Sequence, residues 1–270
     1  MLTVVKATGQ KEFFNEEKLR DSIKRAGIPA PLEDKVIAHV KSKLYENIPT
    51  SQVYKHITEF LDKAPEKTTI KYSLKQAIMD LGPTGYPFED YVSEILRAKG
   101  YATQVRSNLL GKCVTHEIDV IAERINIEKI MIEAKYHNAA GIHTDVHIPL
   151  YTKARFDDLK EKYKFTKAWL FTNTKITSDA LAYAQCVDMG VTSWSYPQNE
   201  SLRDLIEEEK LYPITILSSL SQAHKQLLLD NHLILVKEIC KNKENLNLLG
   251  IQNSKAKSIT EEAQAICELD

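Results

Sequence analysis

Long apolar stretches are missing from this sequence of 270 residues. No apolar run approaches the roughly 20 residues that a membrane-spanning helix needs. The first residues also lack the charged and then apolar pattern of a secretory leader. Both absences argue against a membrane partner, and we expect the protein to be soluble and cytoplasmic.

Cysteine is scarce, and its spacing carries no recognisable pattern. The chain has four cysteines: Cys113, Cys186, Cys240 and Cys267. None of them forms a Cys-x-x-Cys pair, which a zinc site or a compact disulfide framework would favour. The spacing therefore argues against both kinds of site and for a reducing compartment.

An excess of charge of one sign is also absent. The formal net charge is -1, with 27% charged and 43% hydrophobic residues. Because no global positive field would attract nucleic acid, any DNA-binding surface must be a local patch. The hydrophobic fraction is ordinary for a globular protein, and the length suggests one large or two small domains.

The most informative stretch runs from His116 to Lys135. Two β-branched segments alternate with period two, and the break at residues 124–129 is short enough for a hairpin. Residues i and i+2 of a strand share a face, so Glu133 and Lys135 should point the same way. Asp119 lies on the neighbouring segment. Two carboxylates and a lysine would then converge on an apolar hairpin, where buried charge requires a compensating cation.

A divalent metal is the natural compensating cation. Asp119, Glu133 and the main-chain carbonyl of Ala134 would supply oxygen ligands of the kind that Mg²⁺ or Mn²⁺ prefers. Lys135 would hold or polarise an attacking water. The spacing Asp119, thirteen residues, Glu133-Ala134-Lys135 resembles the PD-(D/E)xK nuclease superfamily, specifically its Mrr-like restriction-endonuclease branch. The alternative is a salt-bridged edge hairpin, because such a pattern also arises by chance.

The flanking elements extend this resemblance. A turn cluster at residues 82–87 precedes an amphipathic helix, and the elements that follow complete the order αβββαβαβ of the superfamily core. The first helix of Mrr-like nucleases lends a glutamate to the metal site, and Glu89 matches that position. A partner of the helix dipole is the alternative role for Glu89. Neighbouring Asp90 and Glu94 are expected to face solvent.

Three more residues are candidates for contact with the substrate. His116 lies three residues before Asp119, at the start of the strand. Tyr151 and Arg155 are four residues apart in a basic helical segment and should share one face. Mrr-like families place a polar or basic residue of this helix close to the scissile phosphate. A solvated helix face is the alternative, because acidic residues are interleaved with the basic ones.

The first 65 residues predict a small α/β module. A hairpin turning at Thr8-Gly9 should lead into three amphipathic helices, the first capped by Asn15 and ending at Gly27. The module resembles the ATP-cone, a nucleotide-binding regulatory domain of ribonucleotide reductases and their transcriptional regulator. The match lies in Val4–Gly9, Phe14–Leu19 and Ile48–Val53. The resemblance implies ATP or dATP as an effector, with Lys6 and Lys18 as the cations that meet its phosphates. Lysines that are only solvated are the alternative.

The last 70 residues predict a helical subdomain. One amphipathic helix is expected from Leu227 to Cys240, and two further helices should meet at Gly250. Packing or formation of a homodimer is the expected role. A phosphate contact of the helix-hairpin-helix kind is the weaker alternative.

The sequence therefore predicts an α/β protein built from α+β modules. An ATP-cone-like domain is expected at residues 1–65, a restriction-endonuclease-like domain at 66–200 and the helical subdomain at 201–270. The predicted activity is metal-dependent hydrolysis of DNA by an endonuclease that ATP or dATP modulates. One rival is a non-enzymatic, nucleotide-responsive DNA-binding regulator. A second rival is an RNA-processing or repair nuclease on the same fold.

Overall fold

The computed structural model describes residues 2–6, 9–25, 28, 30–61, 66–139 and 141–269. Thr8 of the predicted turn, the predicted helix end at Gly27 and the predicted domain boundary near Ala64-Pro65 lie outside these ranges. The chain divides into two compact units. The first is built mainly from Met1–Ala77, and the second from Ile78–Asn138 and Ile142–Glu268.

The first unit combines a three-stranded sheet with three helices. Its strands are β1 (Thr3–Val5), β2 (Lys11–Phe13) and β3 (Ile48–Pro49), and β1 pairs antiparallel with β2 and parallel with β3. Its helices are α1 (Glu16–Arg25), α2 (Ala30–Lys43) and α3 (Thr50–Leu61). Asn15 Oδ1 accepts a hydrogen bond of 3.0 Å from the Lys18 amide, as a helix N-cap should. Apolar residues of the three helices form one core, which agrees with the predicted amphipathic faces.

The division between the two units falls within helix α4 (Glu66–Met79). The second unit then begins with α5 (Tyr86–Ala98) and a five-stranded mixed sheet of order β10-β8-β6-β5-β4. Its antiparallel strands are β4 (Ala102–Leu110), β5 (Thr115–Arg124) and β6 (Glu128–Lys135). A two-residue strand, β7 (His143–Thr144), follows β6.

Two parallel strands complete this sheet. Strand β8 (Lys167–Thr172) pairs parallel with β6, and β10 (Gly190–Thr192) pairs parallel with β8. Parallel neighbours need crossover connections, which α6 (His147–Tyr163) and α7 (Ser178–Cys186) supply. A second two-residue strand, β9 (Lys175–Ile176), pairs with β7. The hairpin expected from residues 116–135 is present, and the mixed α/β architecture is consistent with the predicted restriction-endonuclease-like fold.

Residues 201–268 belong to the same compact unit as the sheet. They form α8 (Leu202–Glu208), α9 (Gln222–Asp230), α10 (Val236–Lys241), α11 (Asn253–Cys267) and the 3₁₀ helices Ile214–Ile216 and Lys243–Leu249. The single helix predicted from Leu227 to Cys240 is wrong. Helix α9 ends at Asp230, because His232 adopts left-handed backbone with a φ of 59° and donates its amide to Leu229. None of the described helices is long and apolar enough to cross a membrane.

The cysteine pattern led to a second wrong expectation. A disulfide joins Cys240 of α10 to Cys267 of α11, 27 residues later in the sequence. Cys113 and Cys186 are exposed free thiols. The pairing depends on the packing of two helices against each other, so the spacing of the cysteines contained no signal of it.

We expect this disulfide to stabilise the C-terminal helices. A loop of this length should contribute about 3–4 kcal/mol by restricting the unfolded chain. Cys240→Ser should therefore lower the free energy of unfolding in urea, and reduction of the wild type should have the same effect. Cys186→Ser is the matched control and should change it by less than about 0.5 kcal/mol. Thiol titration of protein denatured without reductant should detect two thiols; detection of all four would contradict the pairing.

Candidate active site

Strands β5 and β6 stop pairing beside two carboxylates. Their last paired residues are Val120 and Ile132, so Asp119 and Glu133 occupy the next position on each strand. The Ala134 amide donates a hydrogen bond of 2.7 Å to Asp119 Oδ2. The Asp119 carboxylate therefore accepts from a main-chain amide that lies just past the last β5–β6 pair. This hydrogen bond fixes the orientation of the carboxylate.

Arg155 of α6 is the counter-ion of Glu133. Its Nη1 contacts Glu133 Oε2, and the two side chains are only 7% and 13% exposed. The guanidinium also lies 5.0 Å from the centroid of the Tyr151 ring, so the structure brings the two predicted substrate contacts of this helix together. Arg155 Nε is buried and has no hydrogen-bond partner among the described residues. Buried donors are nearly always paired, and an acceptor from a bound molecule would complete this one.

Glu89 approaches the same carboxylates from the first turn of α5. Its side chain is 12% exposed and accepts a hydrogen bond of 3.2 Å from Arg106 Nη1. The charge of Asp119 acts on both Glu89 and Glu133, and the charge of Lys135 acts on Asp119 and Glu133. The structure thus brings together the four side chains that the sequence suggested for catalysis.

Burial makes these carboxyl groups hard to ionise. Burial first, and then the charge of Asp119, raise the pKa of Glu133 to about 7, against the opposing effect of Arg155. The same two causes raise the pKa of Glu89 to about 7, against the opposing effect of Arg106. Burial also raises the pKa of Asp119, while the Ala134 amide opposes that shift. A site of this kind gains stability when a cation is added.

The donor set suits a hard divalent cation with few protein ligands. Among the described residues, no three or more His, Cys, Asp and Glu side chains converge in a way that would hold a metal. What the strands offer is Asp119, Glu133 and the carbonyl of Ala134, which are all oxygen donors. Mg²⁺ is usually held by one or two carboxylates and keeps several waters. This chemistry fits the small set, and a nearby positive charge would favour the ionised form of these carboxyl groups.

His116 has a partner within the fold. Its Nε2 lies 2.8 Å from Asp158 Oδ2 on α6, and this contact is the main cause that lowers the pKa of Asp158 to about 2. Asp158 also accepts a hydrogen bond of 2.8 Å from the Cys113 amide. The pair ties the β4–β5 turn to helix α6. The ring that was predicted to contact substrate is therefore engaged in a structural interaction.

Arg106 and its neighbours were missed by the sequence analysis. Asp90 was expected to face solvent, but its side chain is largely buried and pairs with Arg106 Nη2 at 2.7 Å and with His232 Nδ1 at 3.0 Å. The partners are 16 and 142 residues away from Asp90 in sequence. An amphipathic pattern assigns a residue to the outer face of a helix but does not show what covers that face.

The two lysines suggested for phosphate binding meet in the first unit. Lys6 Nζ and Lys18 Nζ lie 2.9 and 3.1 Å from the same oxygen, Glu12 Oε2. The hydrogen bond from Lys6 and, to a smaller extent, the one from Lys18 lower the pKa of Glu12. Glu12 and Lys18 also line a cavity of about 230 Å³. The cations are brought together, but around a carboxylate.

We expect Glu89→Gln to stabilise the metal-free protein above neutral pH. An unfolded glutamate ionises near a pKa of about 4.3, whereas the folded pKa is about 7. Between these values the folded state binds more protons, so the stability of the wild type falls as the pH rises and stays reduced above 7. Glutamine keeps an acceptor for Arg106 and does not titrate. Its Tm should exceed that of the wild type by about 2–4 °C at pH 8, the shift for roughly 1 kcal/mol in a chain of this size.

Melting curves measured from pH 4 to pH 8 in EDTA test this expectation. The difference between Glu89→Gln and the wild type should disappear toward pH 4. Glu161→Gln, which replaces an exposed glutamate of α6, is the matched control and should follow the wild type throughout. Parallel curves for Glu89→Gln and the wild type over the whole range would contradict the raised pKa.

Comparison with known proteins finds two family models that match parts of the second unit. A family model described as "Restriction endonuclease" matches residues 83–198, and one described as "AF1548-like, C-terminal" matches residues 212–267. The chain therefore contains a restriction-endonuclease domain, which indicates a nuclease acting on nucleic acid. The predicted Mrr-like resemblance is confirmed to this extent. The ATP-cone resemblance of residues 1–65 stays a prediction.

The chain also has relatives that span most of its length. An uncharacterized protein of Archaeoglobus fulgidus is 37% identical over 175 residues, which are 65% of this chain and 99% of that protein. A crystal structure described as a protein of unknown function, AF1548, is 36% identical, has a TM-score of 0.60 and covers 69% of this chain and 100% of its own. A repair endonuclease from Pyrococcus abyssi is more distant, with 18% identity, a TM-score of 0.30 and coverage of 37% of this chain and 42% of its own, and supports no conclusion. Because this chain spans all of the AF1548 chain at 36% identity, it belongs to the AF1548-like family.

Proposed function

We propose that the chain is a metal-dependent endonuclease that hydrolyses phosphodiester bonds in DNA. The observation that supports this most is that three largely buried carboxylates, Glu89, Asp119 and Glu133, act electrostatically on one another beside Lys135. The buried Arg155 beside them has an Nε without a hydrogen-bond partner among the described residues. A DNA-binding regulator without catalysis would have no use for carboxyl groups whose burial destabilises the ionised protein.

Each residue of the cluster has a role in this proposal. Asp119 and Glu133, with the Ala134 carbonyl, would hold Mg²⁺ or Mn²⁺, which when bound activates water and neutralises charge on the phosphate in the transition state. Lys135 follows Glu133 by two residues on the same strand face and orients the attacking water. Glu89 adds negative charge from helix α5 and supports the metal ligands or a second ion.

Arg155 is the proposed contact for the scissile phosphate. In the free protein it neutralises Glu133 through Nη1, while its buried Nε has no partner among the described residues. A phosphate oxygen placed at Nε would satisfy that donor, and guanidinium groups present their donors in a geometry that suits phosphate. Tyr151 lies against the guanidinium and is 57% exposed, so it would extend the same surface toward a base or sugar.

We also propose that the first unit binds ATP or dATP and thereby modulates cleavage. The observation that favours this is the meeting of Lys6 and Lys18 at Glu12, on the border of a cavity. Asn15 and Thr50 contribute to the wall of that cavity and supply polar groups for a ligand. A triphosphate would compete with Glu12 for both lysines, so the carboxylate weakens the site while holding its cations in place.

Substitutions in the carboxylate cluster test the nuclease proposal. Asp119→Asn, Glu133→Gln and Lys135→Met should each lower the rate of DNA cleavage by at least about 100-fold, because each removes charge that acts in the transition state. Asparagine keeps an acceptor for the Ala134 amide, so Asp119→Asn should remain folded. The measurement is cleavage of plasmid DNA and of a matched RNA with Mg²⁺ or Mn²⁺, with and without EDTA. The RNA arm separates a DNA endonuclease from an RNA-processing enzyme on the same fold.

The matched control for this series is Glu123→Gln, which replaces an exposed glutamate on the same strand as Asp119. It should cleave like the wild type. Wild-type rates in any of the three cluster variants would remove that residue from the site. Cleavage by the wild type that persists in EDTA would contradict the dependence on metal.

Two substitutions with opposite expected effects, one at Lys18 and one at Glu12, test the nucleotide proposal. Lys18→Ala should weaken binding of ATP and dATP by at least about tenfold, since a charged hydrogen bond contributes about 1.5–3 kcal/mol. Glu12→Gln should strengthen it, because a competing negative charge is removed. Calorimetry on the full chain measures both changes, with Lys24→Ala, an exposed lysine of α1, as the control. Absence of heat with millimolar nucleotide in both the wild type and Glu12→Gln would contradict this proposal.

A further inference from the structure

Arg106 interrupts strand β4 opposite the aspartate of the candidate site. The residues on either side of it, Val105 and Ser107, keep the register with β5, which places Arg106 across from Asp119. Its φ is nevertheless 50°, in the left-handed region. That conformation is unfavourable for a residue with a Cβ atom and is found most often where the surrounding structure enforces it. The side chain of Arg106 makes the contacts that compensate for this unfavourable backbone conformation.

The guanidinium of Arg106 holds two consecutive carboxylates of helix α5. Nη1 donates to Glu89 Oε2 at 3.2 Å, and Nη2 donates to Asp90 Oδ1 at 2.7 Å. All three side chains are more than three-quarters buried. The two nitrogens belong to one rigid plane, so the position of Glu89 relative to β4 is set by a two-point contact. A lysine offers a single ammonium group and no such fork.

The C-terminal segment holds the other side of this network. Asp90 Oδ2 lies 3.0 Å from His232 Nδ1, and His232 belongs to residues 212–267, which match the AF1548-like C-terminal family. His232 lies two residues after the end of α9 and adopts left-handed backbone, and in this conformation its side chain reaches Asp90. The contacts therefore run from His232 through Asp90 and Arg106 to Glu89.

We propose that Arg106 is a positioning residue that fixes Glu89 beside Asp119, with His232 of the C-terminal segment supporting it through Asp90. The helices after residue 200 are then part of the construction of the nuclease site. The expected effect on cleavage rests on the proposed function. The expected effect on cation binding does not, and it is measured separately.

A positioning role and a simple counter-ion role predict different affinities for a cation. If Arg106 only adds positive charge near the carboxylates, Arg106→Gln should tighten binding of Mn²⁺ and Arg106→Lys should leave it unchanged. If Arg106 positions Glu89, both variants should bind Mn²⁺ more weakly, because a displaced carboxylate is lost from the site. Calorimetry with Mn²⁺ alone on the full chain distinguishes these cases. We expect a loss of about tenfold or more in both variants, since a displacement of about 1 Å is enough to cost up to 100-fold in an active site.

Cleavage kinetics provide the second measurement. Arg106→Lys should lower kcat by about 10- to 100-fold and leave the KM for DNA within about threefold, the pattern of an interaction that acts in the transition state. The double variant with Glu89→Gln should be no slower than Glu89→Gln alone, because Arg106 acts through that residue. His232→Ala should lower kcat by about two- to fivefold, the range of an exposed ion pair, and His232→Gln should restore it by donating to Asp90.

Arg97→Ala is the matched control, because the Arg97 side chain also joins α5 to β4. Arg97 donates to Glu94 of the helix at 2.6 Å and to Thr103 of the strand at 2.7 Å, at the end of α5 away from Glu89. It should lower Tm without changing Mn²⁺ affinity or kcat. Wild-type Mn²⁺ affinity in Arg106→Lys, or additive losses in the double variant, would overturn the proposal. If the wild type cleaves neither DNA nor RNA, the proposed function fails, and the Mn²⁺ measurement alone decides the role of Arg106.

Discussion

Burying carboxylates beside one another raises the free energy of a folded chain, and the second unit is arranged around the groups that offset this effect. Asp119 is met by a main-chain amide, Glu133 by Arg155 and Glu89 by Arg106. These partners come from three different elements: strand β6, helix α6 and strand β4. Removal of any one partner would leave a buried charge without compensation, which is more destabilising than the presence of a paired charge is stabilising.

The topology of the sheet follows from the same requirement. The β5–β6 hairpin brings Asp119 and Glu133 to one level, which local chain geometry alone achieves. A counter-ion for Glu133 has to come from elsewhere, and the crossover from β6 to the parallel strand β8 places helix α6 on the sheet with Arg155 directed at the glutamate. The helix before β4 contributes Glu89. The order of helix, three strands, helix and strand therefore brings each acid to its partner.

Local patterns predicted the parts of the site that lie on a single element. The period-two alternation of residues 116–135 was enough to place Asp119, Glu133 and Lys135 on a hairpin. The helical pattern after residue 87 was enough to place Glu89 in the first turn of α5. The contacts that local patterns did not indicate join distant residues: Asp90 with His232, and Cys240 with Cys267. No periodicity relates such residues, since the pairing exists only after the elements have packed.

Backbone conformation accounts for most of the remaining differences. An arginine within an otherwise extended segment gives no sign that its φ will be positive, as it is at Arg106. The break after α9 is similar, because the apolar spacing from Leu227 to Cys240 fits a continuous helix until His232 turns into left-handed backbone. In both places a residue adopts a backbone conformation that its own Cβ atom disfavours. The compensating contacts are tertiary, so these are the positions where reasoning from local propensity should fail.

The two arginines of the site differ in a way that separates binding from positioning. Arg106 directs two nitrogens at two carboxylates, whereas Arg155 directs one at Glu133 and keeps a buried Nε that no described residue accepts from. Two donors of Arg106 are thus used to hold Glu89 and Asp90 of helix α5. An anion that approaches Arg155 would satisfy a donor that folding left unsatisfied. Lys6 and Lys18 differ again, because they already share the Glu12 carboxylate and an anion would have to compete with it for both lysines. The proposed phosphate contact is therefore Arg155, and the proposed positioning residue is Arg106.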